Sequence, residues 1–245
     1  MIELVGVSKT YPGSIDVLYN INLHVGKDEF AFMVGPSGAG KTTIMKLLYR
    51  EETPTAGKVM VDRVNVVELD PSQVPYLRRN IGVVFQDYKL LAKRTIYENV
   101  AFALRVTGTP RASIRRKVMQ SLELVGLLRK ANSFPEELSG GEKQRACIAR
   151  AIVNNPPILL ADEPTGNLDP ATSWDIIQLL DKINKRNTTV LVATHNKSIV
   201  DDMKRRVVCI ENGRVVTDQQ LGTYTINHSQ IPNPNGSASN ICSAI

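Results

Sequence analysis

An eight-residue run, Gly35-Pro36-Ser37-Gly38-Ala39-Gly40-Lys41-Thr42, follows directly on the apolar stretch Phe30 to Val34 and limits what this chain can become more than any other feature. Glycines at these spacings let the backbone turn closely from a buried strand into a helix, here expected to start near Lys41. Successive N–H groups of such a loop, together with the positive end of the helix, converge on one point suited to phosphate. Gly35, Ser37, Gly38, Ala39, Gly40 and Thr43 are expected to line that cradle. Lys41 is placed to reach the β- and γ-phosphates of a nucleotide, and the Thr42 hydroxyl to hold Mg²⁺. A glycine-rich turn without a ligand is the alternative, disfavoured by the complete motif in its strand-to-helix setting. By itself the loop says nucleotide and nothing narrower, because kinases, GTPases and ATPases share it.

The rest of the chain can carry such a fold. Its 245 residues are 42% apolar, enough for one large α/β core. Apolar runs such as Ile158 to Ala161 fall far short of the roughly 20 residues that span a bilayer. The N-terminus lacks the pattern of an export signal, so a cytoplasmic location is expected. Cys147, Cys209 and Cys242 share no CxxC spacing and read as reduced thiols. A net charge of +6 is compatible with nucleic acid, anionic lipid or nucleotide and does not choose among them. The basic clusters Arg78-Arg79, Arg115-Arg116-Lys117 and Lys204-Arg205-Arg206 read as solvated helix faces.

Four short apolar runs, Phe30 to Val34, Ile81 to Phe85, Ile158 to Ala161 and Val190 to Ala193, predict buried strands of a mainly parallel sheet. Ile2 to Val7, Val17 to Val25 and Gly57 to Val64 alternate and are broken by turn residues, which predicts an antiparallel β layer. From Ser113 to Arg129 the pattern is helical, with Ile114, Val118, Leu122 and Val125 on one face. A helical subdomain over about 91–139, inserted in the α/β core of a domain covering 1–224, is therefore expected. Residues 225–245 are polar, uncharged and interrupted by Pro232, Pro234 and Gly236, the composition of a disordered tail.

Two further motifs carry chemistry. Ile158 to Ala161 runs into Asp162-Glu163, a carboxylate pair at the carboxyl end of a buried strand, where α/β sheets hold ligands. Asp162 is expected to complete the Mg²⁺ shell and Glu163 to polarise the attacking water. A strand ending in acids for solubility is the alternative when the pair is seen alone. Leu138-Ser139-Gly140-Gly141-Glu142-Lys143-Gln144-Arg145 precedes the helix-forming stretch Ala146 to Val153. A small hydroxyl and two glycines there expose N–H groups at a helix start, a second anion cradle, unless they only cap the helix.

This last run resembles the signature motif of ABC ATPases, and the resemblance extends to about Tyr224. It implies that the signature Ser139, Gly140 and Gly141 of one subunit cover an ATP held by the loop of another, so that the active form is a homodimer, or a pairing with a similar subunit, closed on ATP. It also implies roles for Gln86 at Mg²⁺ and the attacking water, for Asp169 of Asn167-Leu168-Asp169 at the dimer interface, for His195 at the γ-phosphate, and for Tyr11 stacked on adenine. Glu142 and Lys143 depart from the glutamine common at that point, which bears on any side-chain role there but not on the backbone cradle.

Within the family, Phe85-Gln86-Asp87-Tyr88-Lys89-Leu90-Leu91 and Leu48-Tyr49-Arg50-Glu51 are most similar to the FtsE group of cell-division ATP-binding proteins, whereas Gly166-Asn167-Leu168-Asp169 is shared with the ATPases of lipoprotein-release and macrolide exporters. That likeness implies an integral membrane partner of the FtsX kind, docking near Asp87 to Arg94, control of cell-wall hydrolysis, and a position on the inner face of the membrane. The ATPase of a lipoprotein-release or macrolide exporter is the alternative. A soluble ABC ATPase acting on ribosomes or DNA is disfavoured by the single cassette and the lack of a coiled-coil insertion.

Overall fold

A computed structural model of the chain describes residues 1–222. The tail expected at 225–245, the domain end at Tyr224 and Cys242 lie outside the described residues.

Two sheets and seven α-helices form the described fold, and both sheets follow from residue patterning. β1 (Ile2–Tyr11), β2 (Ile15–Val25), β4 (Ala56–Val61) and β5 (Val64–Asn65) make an antiparallel sheet in the order β2-β1-β4-β5. The second sheet contains β3 (Phe30–Val34), β6 (Ile81–Val84), β7 (Ile158–Asp162), β8 (Thr189–Thr194), β9 (Arg206–Glu211) and β10 (Arg214–Gln219), in the order β10-β9-β3-β8-β7-β6. All its pairings are parallel except β10 on β9. The mainly parallel core and the antiparallel layer are those expected from the sequence.

The parallel strands read as unbroken apolar runs because both of their faces are buried. Phe30, Phe32 and Val34 of β3 enter the core beneath the helices, with Leu159, Ala161, Val190, Val192, Val207 and Cys209. Ala31 and Met33 point the other way, with Ile158, Leu160, Leu191 and Ala193, and pack beneath the antiparallel sheet and α1 (Lys41–Leu48). The phosphate-loop strand is central, between β8 and β9.

β9 was not expected. Its apolar run Val207 to Ile210 follows Lys204-Arg205-Arg206, a cluster that resembles a solvated face. Arg206 is instead buried, bound to both oxygens of Asp218 at 2.7 Å, to Glu29 at 2.9 Å and to the His24 carbonyl at 2.7 Å. Arg205 binds Asp181 at 2.5 Å, and Arg78 of α2 (Val74–Arg79) donates to the Tyr49 and Arg50 carbonyls at 3.0 Å each. Neither is a free surface cation.

Helices α3 (Ile96–Val106), α4 (Arg111–Leu124) and α5 (Gly140–Ile152) pack on one another between β6 and β7. α4 ends at Leu124 rather than at Arg129, because Gly126 turns left-handed at φ 75° and only a 3₁₀ turn, Leu128–Lys130, follows. α5 begins at Gly140, the helix start expected from Ser139-Gly140-Gly141, and runs on through the stretch from Ala146. Ser139 is its N-cap: its side chain accepts from the Glu142 N–H, and the Glu142 carboxylate accepts from the Ser139 N–H at 2.9 Å. This reciprocal cap holds two N–H groups at the helix start and gives Glu142 a local role. α6 (Pro170–Asn184) and α7 (Lys197–Met203) complete the fold. Among the described residues no helix is long and apolar enough to cross a membrane.

Candidate nucleotide site

The loop 35–40 joins β3 to α1, with Lys41 as the first helical residue. Gly35, at φ 145°, cannot be replaced without strain: a Cβ there would stand 2.0 Å from the Ile210 carbonyl oxygen of β9. Ser37 and Thr42 are exposed, whereas Ala39, Lys41 and Thr43 are buried. The Lys41 ammonium donates to the carbonyls of Gly35 at 2.8 Å and Pro36 at 3.0 Å. A full charge therefore sits folded back on its own loop, within 3.9 Å of Glu163 Oε1.

β7 delivers Asp162 and Glu163 to the same end of the sheet. Glu163 has a left-handed backbone, φ 46°, and its N–H donates to the Ala193 carbonyl at 2.9 Å, which pins it to β8. Such a conformation costs a non-glycine residue free energy. His195, at the end of β8, brings Nδ1 to 2.9 Å from Glu163 Oε2, close but not aligned as a hydrogen bond. Burial pushes the Asp162 carboxyl above its ordinary range, and the adjacent Glu163 charge adds to this against a hydrogen bond from Thr42. Asp162 Oδ1 and Glu163 Oε2 are buried without a hydrogen-bond donor. Buried acceptors are rarely left so, and each unmet one costs free energy. Two donor-less carboxylate oxygens beside a folded-back ammonium and the Thr42 hydroxyl suit a hard, oxygen-loving cation shared with phosphate. Among the described residues no group of three or more His, Cys, Asp or Glu could hold a metal by itself.

Gln86 is exposed just beyond β6, and its side-chain nitrogen lies 3.5 Å from where a Cβ on Gly166 would stand, in the turn after Glu163. Tyr11 ends β1, partly buried, with the Lys9 ammonium 4.6 Å from its ring centre. Lys41, Thr42, Asp162, Glu163 and His195 are thus gathered from three strand ends, with Gln86 adjacent.

Ser139, Gly140 and Gly141 belong to a separate cradle at the start of α5. It is packed against the turn that leads into α6, where Asp169 is the N-cap and accepts from the Thr172 N–H at 3.0 Å. The bonds from Thr172 hold the Asp169 carboxyl below its usual range. A Cβ on Gly141 would meet Thr172 Cγ2 at 2.4 Å, so glycine is what permits the two helix starts to approach.

The sequence reading missed the tie between this signature helix and the Gln86 loop. Tyr88 and Lys89 both have left-handed backbones, φ 57° and 47°. Their carbonyls are held by α5: Arg150 donates to both, at 2.8 Å to Tyr88, and the Cys147 thiol donates to Tyr88 at 2.9 Å. The i, i+3 spacing of Cys147 and Arg150 was the available signal.

A model of the ABC transporter family matches residues 18–166. The chain is 51% identical over 224 residues to the cell division ATP-binding protein FtsE of Bacillus subtilis, covering 91% of this chain and 98% of that one. It is 55% identical over 225 residues to FtsE of Mycobacterium tuberculosis, with the same coverage. Among solved structures it resembles a dimeric bacterial ABC transporter cassette, with a TM-score of 0.82 and 37% identity over 91% of this chain and 100% of that one. It also resembles a dimeric post-hydrolysis ATP-binding cassette bound to ADP and Pi, with a TM-score of 0.81 and 36% identity over the same shares. With its cradle, carboxylate pair and second helix start in this arrangement, the chain is an ATPase that belongs to the ABC transporter family, in its group of cell-division ATP-binding proteins.

Proposed function

We propose that two copies of the chain close on ATP, each holding nucleotide on residues 35–43 and covering its partner's phosphate with the helix start at Ser139, Gly140 and Gly141. The observation that carries this reading is the pair of buried, donor-less oxygens of Asp162 and Glu163 beside Lys41. They form an acceptor site that phosphate, a cation and water would complete. Lys41 leaves its loop carbonyls for the β- and γ-phosphates. Thr42, Gln86 and Asp162 hold Mg²⁺, which supplies neutralisation of the phosphate charge. Glu163 orients and polarises the attacking water, and His195, already at 2.9 Å, steadies Glu163 and faces the γ-phosphate. Tyr11 stacks on adenine, and Asp169, at the head of α6, lies on the dimer face.

The dimer drives an integral membrane protein of the FtsX kind to control cell-wall hydrolysis during division, from the inner, cytoplasmic face of the membrane. Names carried by the relatives support the division role, and the dimeric cassettes support the assembly. The docking surface expected near residues 87–94 adjoins a groove of about 500 Å³ lined by Phe85, Phe102, Val106, Arg78 and Arg150 among others; residues 87–94 do not line it, but Arg150 on its wall holds the carbonyls of Tyr88 and Lys89.

Glu163→Gln tests the reading. The variant should bind ATP, hydrolyse it at least about 100-fold more slowly, the low end for a general base, and accumulate as a dimer in sedimentation. Lys41→Ala should lose ATP binding. Normal turnover in the first, or normal affinity in the second, would sink these roles. A larger permease co-purifying with tagged Glu163→Gln in ATP, in place of a division protein, would move the chain to export.

A further inference from the structure

A second, quite different cleft lies at the outer corner where α3 turns into α4. It has a volume of about 670 Å³ and is lined by Tyr97, Arg105, Thr109, Arg111, Ile114 and Arg115. No carboxylate lines it, and among the described residues none of the three guanidiniums makes an ion pair or hydrogen bond. Two other neighbouring arginines of this fold are answered by acids: Arg206 by Glu29 and Asp218, Arg205 by Asp181. Here three like charges share one concave surface unanswered. Arg111 stands in the first turn of α4, which has no acid and no side-chain cap, so the helix dipole adds to the positive field. Guanidinium forks match phosphate oxygens in pairs, and the Tyr97 and Thr109 hydroxyls add donors.

The source of the phosphate follows from the position of α3. The same helix presents Phe102 and Val106 to the groove proposed above for a membrane protein, with Arg105 between them in sequence. A membrane protein seated in that groove brings the arginine corner toward the leaflet, whose cytoplasmic surface is anionic. We propose that Arg105, Arg111 and Arg115 form a binding site for the phosphate headgroups of anionic phospholipids. It gives the subunit a lipid contact of its own beside its protein partner. The choice of lipid over soluble phosphate rests on the membrane-docking reading; the anion chemistry does not.

The test uses the full chain alone, sedimented with vesicles of phosphatidylcholine, or of phosphatidylcholine with phosphatidylglycerol. Wild type should bind only the anionic vesicles. The triple variant Arg105→Gln, Arg111→Gln, Arg115→Gln should bind them on the order of 100-fold more weakly, from about 1 kcal/mol per basic residue at an anionic surface. A control with the same charge change at a separate cleft, Lys27→Gln, Lys117→Gln, Arg186→Gln, should keep most of the affinity. ATP hydrolysis and melting should be unchanged in both variants. Equal losses in the two variants would reduce the effect to net charge and overturn the site. So would absence of wild-type binding, or displacement by low-millimolar inorganic phosphate, which assigns the cleft to soluble anions. Because no partner protein is present, failure here leaves the docking groove untouched. Phe102→Asp in partner co-purification reports on that groove separately.

Discussion

Replacing Arg150 by methionine should uncouple the Gln86 loop from the signature helix while leaving the phosphate loop intact. The guanidinium donates to the carbonyls of Tyr88 and Lys89, two consecutive left-handed residues. Hydrogen bonds from a charged group are worth about 1.5–3 kcal/mol each, and Lys89 is exposed enough for water to replace part of what is lost. Taking the low end for both gives a loss of about 3 kcal/mol, or a fall of roughly 6–12 °C in melting temperature for a domain of this size. Methionine keeps the helix propensity and most of the stem volume, so the loss reports on the bonds. The Cys147 thiol still holds Tyr88, which keeps the loop near its place but loose. Gln86, two residues earlier, should then wander by the ångström or so that costs a reaction on the order of 10- to 100-fold in kcat. ATP affinity should stay within about twofold, because residues 35–43 are untouched and binding there is set by the cradle. Arg150→Lys should recover less than half of the stability, since one ammonium cannot span two carbonyls as a fork does. Melting within about 2 °C of wild type, together with an unchanged kcat, would refute the coupling.

Gly35→Ala should unfold the chain at markedly lower temperature, because its Cβ would stand 2.0 Å from a backbone oxygen of β9 that cannot move alone. Overpacking and strained backbone each cost about 1–3 kcal/mol, and a calorimetric shift under about 2 °C would contradict this. Asp181→Asn should show a pH-dependent loss. Burial pushes this carboxyl up, but the bonds from Lys185 and Arg205 outweigh it and hold the folded group below the ordinary carboxylate range. The carboxylate's contribution is therefore fully present above the unfolded value and disappears as pH falls through the folded one. The melting difference between wild type and variant should be constant from pH 6 to about 5 and shrink below about 4; a gap that widens in acid would reverse the sign. Burial likewise raises the Cys147 thiol to about 12, so its peptide should escape iodoacetamide at pH 8 in the native chain and react on denaturation. Native labelling there would mean that α5 opens.

What could be read from sequence, and what could not, divides along a physical line. β3 was legible because a strand buried on both faces must be apolar at every position, and the loop after it because close phosphate approach demands glycine at fixed spacings. Asp162, Glu163 and His195 were legible as strand ends, since local order puts each one at the carboxyl edge of the sheet. Their mutual distances were not, because those depend on β7 lying beside β8 and β8 beside β3, a choice made by packing across a hundred residues. β9 escaped for the opposite reason. Its leading Arg206 has the composition of a surface residue, and only the meeting of Glu29 and Asp218 around it makes burial favourable. The start of α5 shows a finer limit. The serine and glycines mark that helix start in the sequence, but Glu142 as the reciprocal partner of the Ser139 cap was missed. The cap lines up the first N–H groups of α5, Gly141 lets Thr172 of the neighbouring helix close in, and Arg150 two turns later grips the loop beyond Gln86. A phosphate bound at that helix start, as proposed above, would be linked through α5 to the loop at Tyr88 and Lys89, whose carbonyls Arg150 holds.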